Sequence, residues 1–120
     1  MKKTILIAED EDIGRFTISL MLENDFNLIF AENGRQAVDK FFSNNPDLLL
    51  LDLGMPDIDG FEVLAEIKKR EDNRDTKVIA VTGRTMNGEV KMIMESGFDD
   101  FISKPIDVDV LLQKIDKHIK

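Results

Sequence analysis

Asp47-Leu48-Leu49-Leu50-Leu51-Asp52-Leu53-Gly54, with Asn45-Pro46 before it and Met55-Pro56 after, is the stretch that decides the fold. Four leucines in succession leave no polar face. A short, unbroken apolar run bounded by turn residues reads as a strand covered on both sides, as in the middle of a parallel sheet. The run closes on a carboxylate, Asp52. Three other runs also close on a polar, chemically useful residue. Ile5-Leu6-Ile7-Ala8 runs into Glu9-Asp10, Val78-Ile79-Ala80-Val81 into Thr82, and Phe101-Ile102-Ser103 into Lys104. In an open parallel sheet, ligands bind at the carboxyl ends of the strands. Three carboxylates, a hydroxyl and an ammonium meeting there point to a hard cation and a phosphoryl group.

Strand and helix patterns alternate five times. Strands are expected at 4–8, 27–31, 47–52, 77–82 and 100–103. Helical stripes fill the gaps. They comprise Ile13, Phe16, Leu20 and Met21 in 13–24; Ala37, Val38, Phe41 and Phe42; Phe61, Leu64 and Ile67; Val90, Ile93 and Met94 in 87–96; and Val108, Leu111, Leu112, Ile115 and Ile119. Gly97 is a candidate C-terminal cap and Asp107 a candidate N-cap. Asn45-Pro46-Asp47 ends the second helix. Right-handed crossovers turn this (βα)5 series into a three-layer, doubly wound α/β domain of the flavodoxin-like kind, with a five-stranded parallel sheet of order 2-1-3-4-5. That order sets Asp52 between Glu9-Asp10 and Thr82, with Lys104 beyond.

A length of 120 residues fits one domain over 1–120, and a hydrophobic fraction of 42% suffices for its core. The sequence has no Cys, so it has neither a disulfide frame nor a thiolate metal site. The apolar run after Met1-Lys2-Lys3-Thr4 is too short for a secretory signal, and no stretch approaches a membrane span. These features point to a cytoplasmic protein. The 16 basic and 24 acidic side chains give a net charge of −8, which argues against sequence-independent binding of nucleic acid.

Taken together, Glu9-Asp10, Asp52-Leu53-Gly54-Met55-Pro56-Asp57-Ile58-Asp59-Gly60, Val81-Thr82-Gly83 and Lys104-Pro105 resemble the receiver domain of two-component response regulators. The resemblance runs through essentially the whole chain, in order and with family spacing. It implies that Asp52 accepts a phosphoryl group from a sensor histidine kinase or a histidine phosphotransfer protein. It implies Mg²⁺, with Mn²⁺ a possible substitute, held by Asp10, Asp52 and the Gly54 carbonyl, with Glu9 often acting through water. Lys104 resembles the lysine that pairs with phosphoryl oxygens. Thr82 and Phe101 resemble the switch pair, and a downstream protein would read the face made by the helix over 87–96, the strand at 100–103 and the last helix. The resemblance also implies a signalling domain rather than an enzyme, catalysing only its own phosphoryl transfer and dephosphorylation. Its expected state is a monomer or a weak dimer formed on phosphorylation.

Several positions depart from the family pattern. Phe101 stands where Tyr is frequent, and Phe98 where Ala is frequent. Gly54 lacks the side chain that often covers the phosphoryl group, and Arg84 is a candidate to cover it instead. The Lys104-Pro105 bond is often cis in the family, whereas sequence alone favours trans. Asp57 and Asp59 read as loop acids, Pro56 and Gly60 as shaping that loop, and His118 as solvated. A rival reading is a small Mg²⁺-dependent phosphohydrolase with an aspartyl nucleophile. Leu53-Gly54 after Asp52 lacks the second acid such enzymes use. A flavin- or nucleotide-binding module would need a phosphate loop where Glu9-Asp10-Glu11-Asp12 stands. The intact constellation argues against a pseudo-receiver that only docks partners. The chain reads either as a stand-alone regulator or as the receiver of a larger one.

Overall fold

The computed structural model describes residues 2–70, 75–83 and 87–119. Strands β1 (Thr4–Ala8), β2 (Asn27–Ala31), β3 (Leu48–Asp52), β4 (Lys77–Thr82) and β5 (Asp100–Ser103) alternate with helices α1 (Asp12–Leu22), α2 (Gly34–Asn44), α3 (Gly60–Lys69), α4 (Asn87–Glu95) and α5 (Val108–Ile119). The strands form one parallel sheet in the order β2-β1-β3-β4-β5. This is the doubly wound, flavodoxin-like arrangement expected from the alternation. Among the described residues, no helix is long and apolar enough to cross a membrane.

The four leucines of β3 are all buried because successive side chains point to opposite faces. Leu49 and Leu51 pack with Val38, Phe41, Val63 and Ile93 in the layer of α2, α3 and α4. Leu48 and Leu50 pack with Ile18, Leu22, Leu111 and Ile115 in the layer of α1 and α5. β3 starts at Leu48 rather than at residue 47. Asp47 precedes the strand and uses its carboxylate to accept the Thr4 N–H at 2.8 Å. Phe98 is buried and packs edge-on against Phe61, with ring centroids 5.7 Å apart. This contact ties the start of β5 to α3.

The helix ends follow their caps. Asn33 accepts the Gln36 N–H at the start of α2, and Asp107 accepts the Asp109 N–H at 2.8 Å at the start of α5. Gly97 has φ +104° after α4, a conformation that favours glycine. Asp57 and Asp59 are more than loop acids. The Asp57 carboxylate accepts the Gly34 and Arg35 N–H groups at 2.8 and 2.9 Å, capping α2 from another loop. Asp59 accepts the Glu62 N–H and caps α3. The β3–α3 loop is therefore pinned to two helices. Gly60 is required there, because a β-carbon would meet the Leu53 backbone at 2.9 Å.

Three expectations about facing are corrected. Ile13, Phe16 and Leu20 of α1 are 81%, 64% and 57% exposed, while Ile18 and Leu22 are buried. At the first turn of α1 the Arg15 guanidinium donates to the Glu9 carbonyl at 2.8 Å, and Ile18 and Leu22 pack into the core formed with β1, β3 and α5. Met94 and Val108 also face outward, although Ile93 and Leu111 beside them are buried. His118 is not solvated. Its side chain is mostly buried, and Nε2 lies 3.0 Å from Asp100 Oδ2.

The α1 phase predicts opposite outcomes for two substitutions. Ile18→Ala should lower unfolding stability by about 2–5 kcal/mol, as truncating a buried aliphatic side chain does. Phe16→Ser should stay within about 0.5 kcal/mol of wild type. Urea denaturation of both variants checks this, and a larger loss for Phe16→Ser would refute the facing.

Candidate functional site

Glu9, Asp52, Thr82 and Lys104 come together at the carboxyl edge of the sheet because β1, β3, β4 and β5 all end there. Asp52 is the last residue of β3 and Thr82 the last of β4; both are buried. The register pairs Asp52 with Val81 and Thr82 with Ser103, so neighbouring strands finish level. Lys104 follows β5, and its N–H bonds the Thr82 carbonyl at 2.8 Å. The Lys104-Pro105 bond is cis.

The electrostatics centre on Asp52. Lys104 Nζ lies 3.0 Å from Asp52 Oδ2 and 3.4 Å from Glu9 Oε2. The Gly54 N–H donates to Asp52 Oδ1 at 2.9 Å. Carboxylate oxygens of Glu9, Asp10 and Asp52 lie within 4.8 Å of one another. Glu9 and Asp52 are buried and Asp10 is exposed. Burial pushes the Glu9 carboxyl up to about 7, helped by its hydrogen bond to Asp52 and by that neighbour's negative charge. Burial also pushes Asp52 up, but hydrogen bonds from Glu9, the Gly54 N–H and Lys104 outweigh it and hold Asp52 below the usual range. Lys104 is pulled down by burial and raised on balance by the two carboxylates.

A cleft of about 880 Å³ opens over this edge, lined by Asp10, Asp52, Gly54, Phe61, Thr82, Met92 and Lys104, among others. Gly54 is exposed at its floor, and a β-carbon there would touch only Asp52 Oδ1, at 3.7 Å. Phe101 is half-buried on β5, beside Ala80 of β4. Lys114 Nζ lies 4.7 Å from its ring centroid and 3.1 Å from Asp100 Oδ1, linking the aromatic ring to α5. Arg84 lies outside the described residues. The oxygen-only donor set fits a hard cation such as Mg²⁺ and would serve a soft metal poorly. The sequence reading missed the tertiary cap Asp57 and the Lys114–Asp100–His118 cluster. An acid two residues before the N-cap of α3 carries no local sign that it caps a different helix.

The sheet order and the acid–lysine edge define a receiver-type α/β domain of the CheY kind. The chain belongs to the response regulator receiver domain family, whose profile matches residues 5–116. It is 32% identical over 120 residues to the polar-differentiation response regulator DivK of Brucella anthropi, covering 99% of this chain and 98% of DivK. It is 41% identical over 113 residues to a cyclic di-GMP phosphodiesterase of Thermotoga maritima. The match covers 93% of this chain but only 30% of that longer protein. A chain in the co-crystal structure of the Saccharomyces cerevisiae phosphotransfer protein Ypd1 with the Ssk1 receiver domain has the same fold. Its TM-score is 0.91 at 23% identity, covering 98% of this chain and 89% of that one.

The Glu9 shift sets a pH dependence. The folded chain retains a proton that the unfolded chain releases between the ordinary glutamate value of 4.5 and about 7. Stability without metal should therefore fall as pH rises through that window and stay low above it. The lowered carboxyls Asp52, Asp57 and Asp100 act below the window, and the raised Lys104 acts above it. Urea midpoints in chelator should decline from pH 5 to 8, and Glu9→Gln should flatten the slope. A wild-type midpoint that rises over this range would contradict the assignment.

Proposed function

We propose that residues 1–120 act as one phosphoacceptor unit in a cytoplasmic two-component relay, with Asp52 as the phosphoacceptor. One observation carries this reading: a buried aspartate at a central strand end faces an open cleft, with Lys104 Nζ 3.0 Å away and two further acids beside it. Its lowered pKa keeps Asp52 ionised at neutral pH, as a nucleophile must be. A carboxylate oxygen attacks the phosphorus of a phosphohistidine. The P–O bond forms as the P–N bond breaks, and the bonding electron pair stays on the donor imidazole.

Asp10, Asp52 and the Gly54 carbonyl would hold Mg²⁺, with Glu9 supporting it through water. When bound, Mg²⁺ neutralises carboxylate and phosphoryl charge. Lys104 has a separate part. Its ammonium sits against Asp52 and pairs with a phosphoryl oxygen as charge gathers there. Thr82 then donates its hydroxyl to another phosphoryl oxygen. Thr82 is drawn inward, and Phe101 follows. The half-buried position of Phe101 between the α4-side core and Lys114 supports its coupling to the α4–β5–α5 face. Met92, Met94, Val108 and Val110 leave exposed apolar surface on α4 and α5 for a downstream protein.

The phosphodonor is a histidine kinase or a histidine phosphotransfer protein, the latter being the kind of partner Ypd1 is for Ssk1. Its docking surface is the apolar face of α1. Ile13, Phe16 and Leu20 lie outward along it. A groove of about 350 Å³ lined by Ile13, Ile18, Pro105 and Ile106 joins that face to Glu9 and Lys104.

Two measurements test this function. Incubation with phosphoramidate and Mg²⁺ should add one phosphoryl group by intact mass. Chelator should suppress the addition and Asp52→Asn should abolish it. Full labelling of the Asn variant would move the acceptor elsewhere. Thr82→Ala should still be labelled but should respond less to beryllofluoride at α4 and α5. Backbone NMR shifts compared at equal occupancy read this, and equal responses would remove Thr82 from the switch.

A further inference from the structure

Glu9 carries one more methylene than an aspartate would at the same strand end, and its side chain is buried. The extra length must be accommodated if its carboxylate is to lie beside Lys104 and Asp52. It is folded back against the first turn of α1, where Oε1 accepts the Glu11 N–H at 3.3 Å while Oε2 faces Lys104 at 3.4 Å. The residue it packs against is Gly14. A β-carbon built at Gly14 would lie 2.8 Å from Glu9 Cγ, Cδ and Oε1 alike. These three atoms are its nearest neighbours. Because Cγ is among them, rotating the carboxylate alone does not relieve the overlap.

Gly14 also lines the groove between α1 and Pro105-Ile106, but neither helix propensity nor backbone conformation calls for glycine there. It lies inside α1, where glycine is less favourable than alanine. Among the described residues Gly97 is the glycine with positive φ, so backbone freedom does not account for Gly14. We propose that Gly14 is a positioning residue for Glu9. By omitting a β-carbon it makes the space in which a glutamate, rather than an aspartate, serves as the first acid of the cation site. Arg15, the next residue, holds the Glu9 carbonyl from the same turn. Side chain and backbone of Glu9 are thus both placed by α1. This inference rests on reading Glu9, Asp10 and Asp52 as a cation site.

The test is a double-mutant cycle of Gly14→Ala and Glu9→Asp, with Mg²⁺ affinity read by calorimetry and metal-free stability read by urea. Gly14→Ala should weaken Mg²⁺ binding about tenfold, the scale seen when a supporting contact to a metal site is lost. Its urea midpoint should not fall as binding does, because alanine favours the helix. In the Glu9→Asp background, the same Gly14→Ala change should alter Mg²⁺ affinity less than about threefold, since the shorter side chain clears the β-carbon. Unchanged affinity in Gly14→Ala, or an equal loss with and without Glu9→Asp, overturns the proposal while leaving the cation site standing. Absence of Mg²⁺ binding by wild type overturns the cation site and this inference together. If Gly14→Ala does not fold, the cycle is read in stability: Glu9→Asp should restore folding, and failure to do so overturns the proposal.

Discussion

Like charges crowded at the end of a parallel sheet are the constraint around which this molecule is organised. Glu9, Asp10 and Asp52 stand within ligand distance of one another, and two of the three are buried. Burial and mutual repulsion both oppose ionisation. The chain answers with one cation, Lys104, delivered from the far side of β4 to within 3.0 Å of Asp52. The compensation is partial. Asp52 takes the benefit and stays ionised, while Glu9 is left with a pKa near neutrality. A site in this condition favours a ligand that brings positive charge.

Holding the site open requires the surrounding loops to stay in place. Asp57 ties the β3–α3 loop to the N-terminus of α2, and Asp59 ties it to α3. Both use a helix end, where backbone N–H groups lack partners and negative charge is favoured. Arg15 holds the β1–α1 connection through the Glu9 carbonyl. Acids at these helix ends are met by backbone N–H groups, while those at the strand ends face one another and Lys104. At the other end of β5, Asp100 is met by Lys114 and His118 of α5, which fastens that helix beside Phe101.

The strands were legible because their pattern is local. Four leucines with no polar face admit one reading, and the residue that closes each run is adjacent to it in sequence. Sheet order then followed from the alternation and chain length, and it brought Asp52, Thr82 and Lys104 to one edge. Helix facing was harder to read. Ile13, Phe16, Leu20 and Met21 make a good amphipathic stripe, yet Ile13, Phe16 and Leu20 face outward, and Met21 packs inward with Ile18 and Leu22. Hydrophobic spacing identifies a helix. Which of two apolar stripes turns inward depends on tertiary contacts that spacing does not carry, such as the packing of Ile18 and Leu22 against β1, β3 and α5. His118 was misread for a similar reason, since its partner Asp100 lies 18 residues away on a different element.

The amino-acid order alone carried the fold class, the strand ends and the chemical character of the site. These depend on periodicity and on which residue closes each strand, both short-range properties. The folded molecule added what depends on approach between distant segments. It set Lys104 on Asp52 across 52 positions, Asp57 on α2 across 23, and the cis geometry before Pro105. It also left three apolar side chains of α1 facing solvent and gave the unequal acidities of Glu9 and Asp52. Acidity follows from burial and from the partner within hydrogen-bond reach, and both come into being only when the strands are brought side by side.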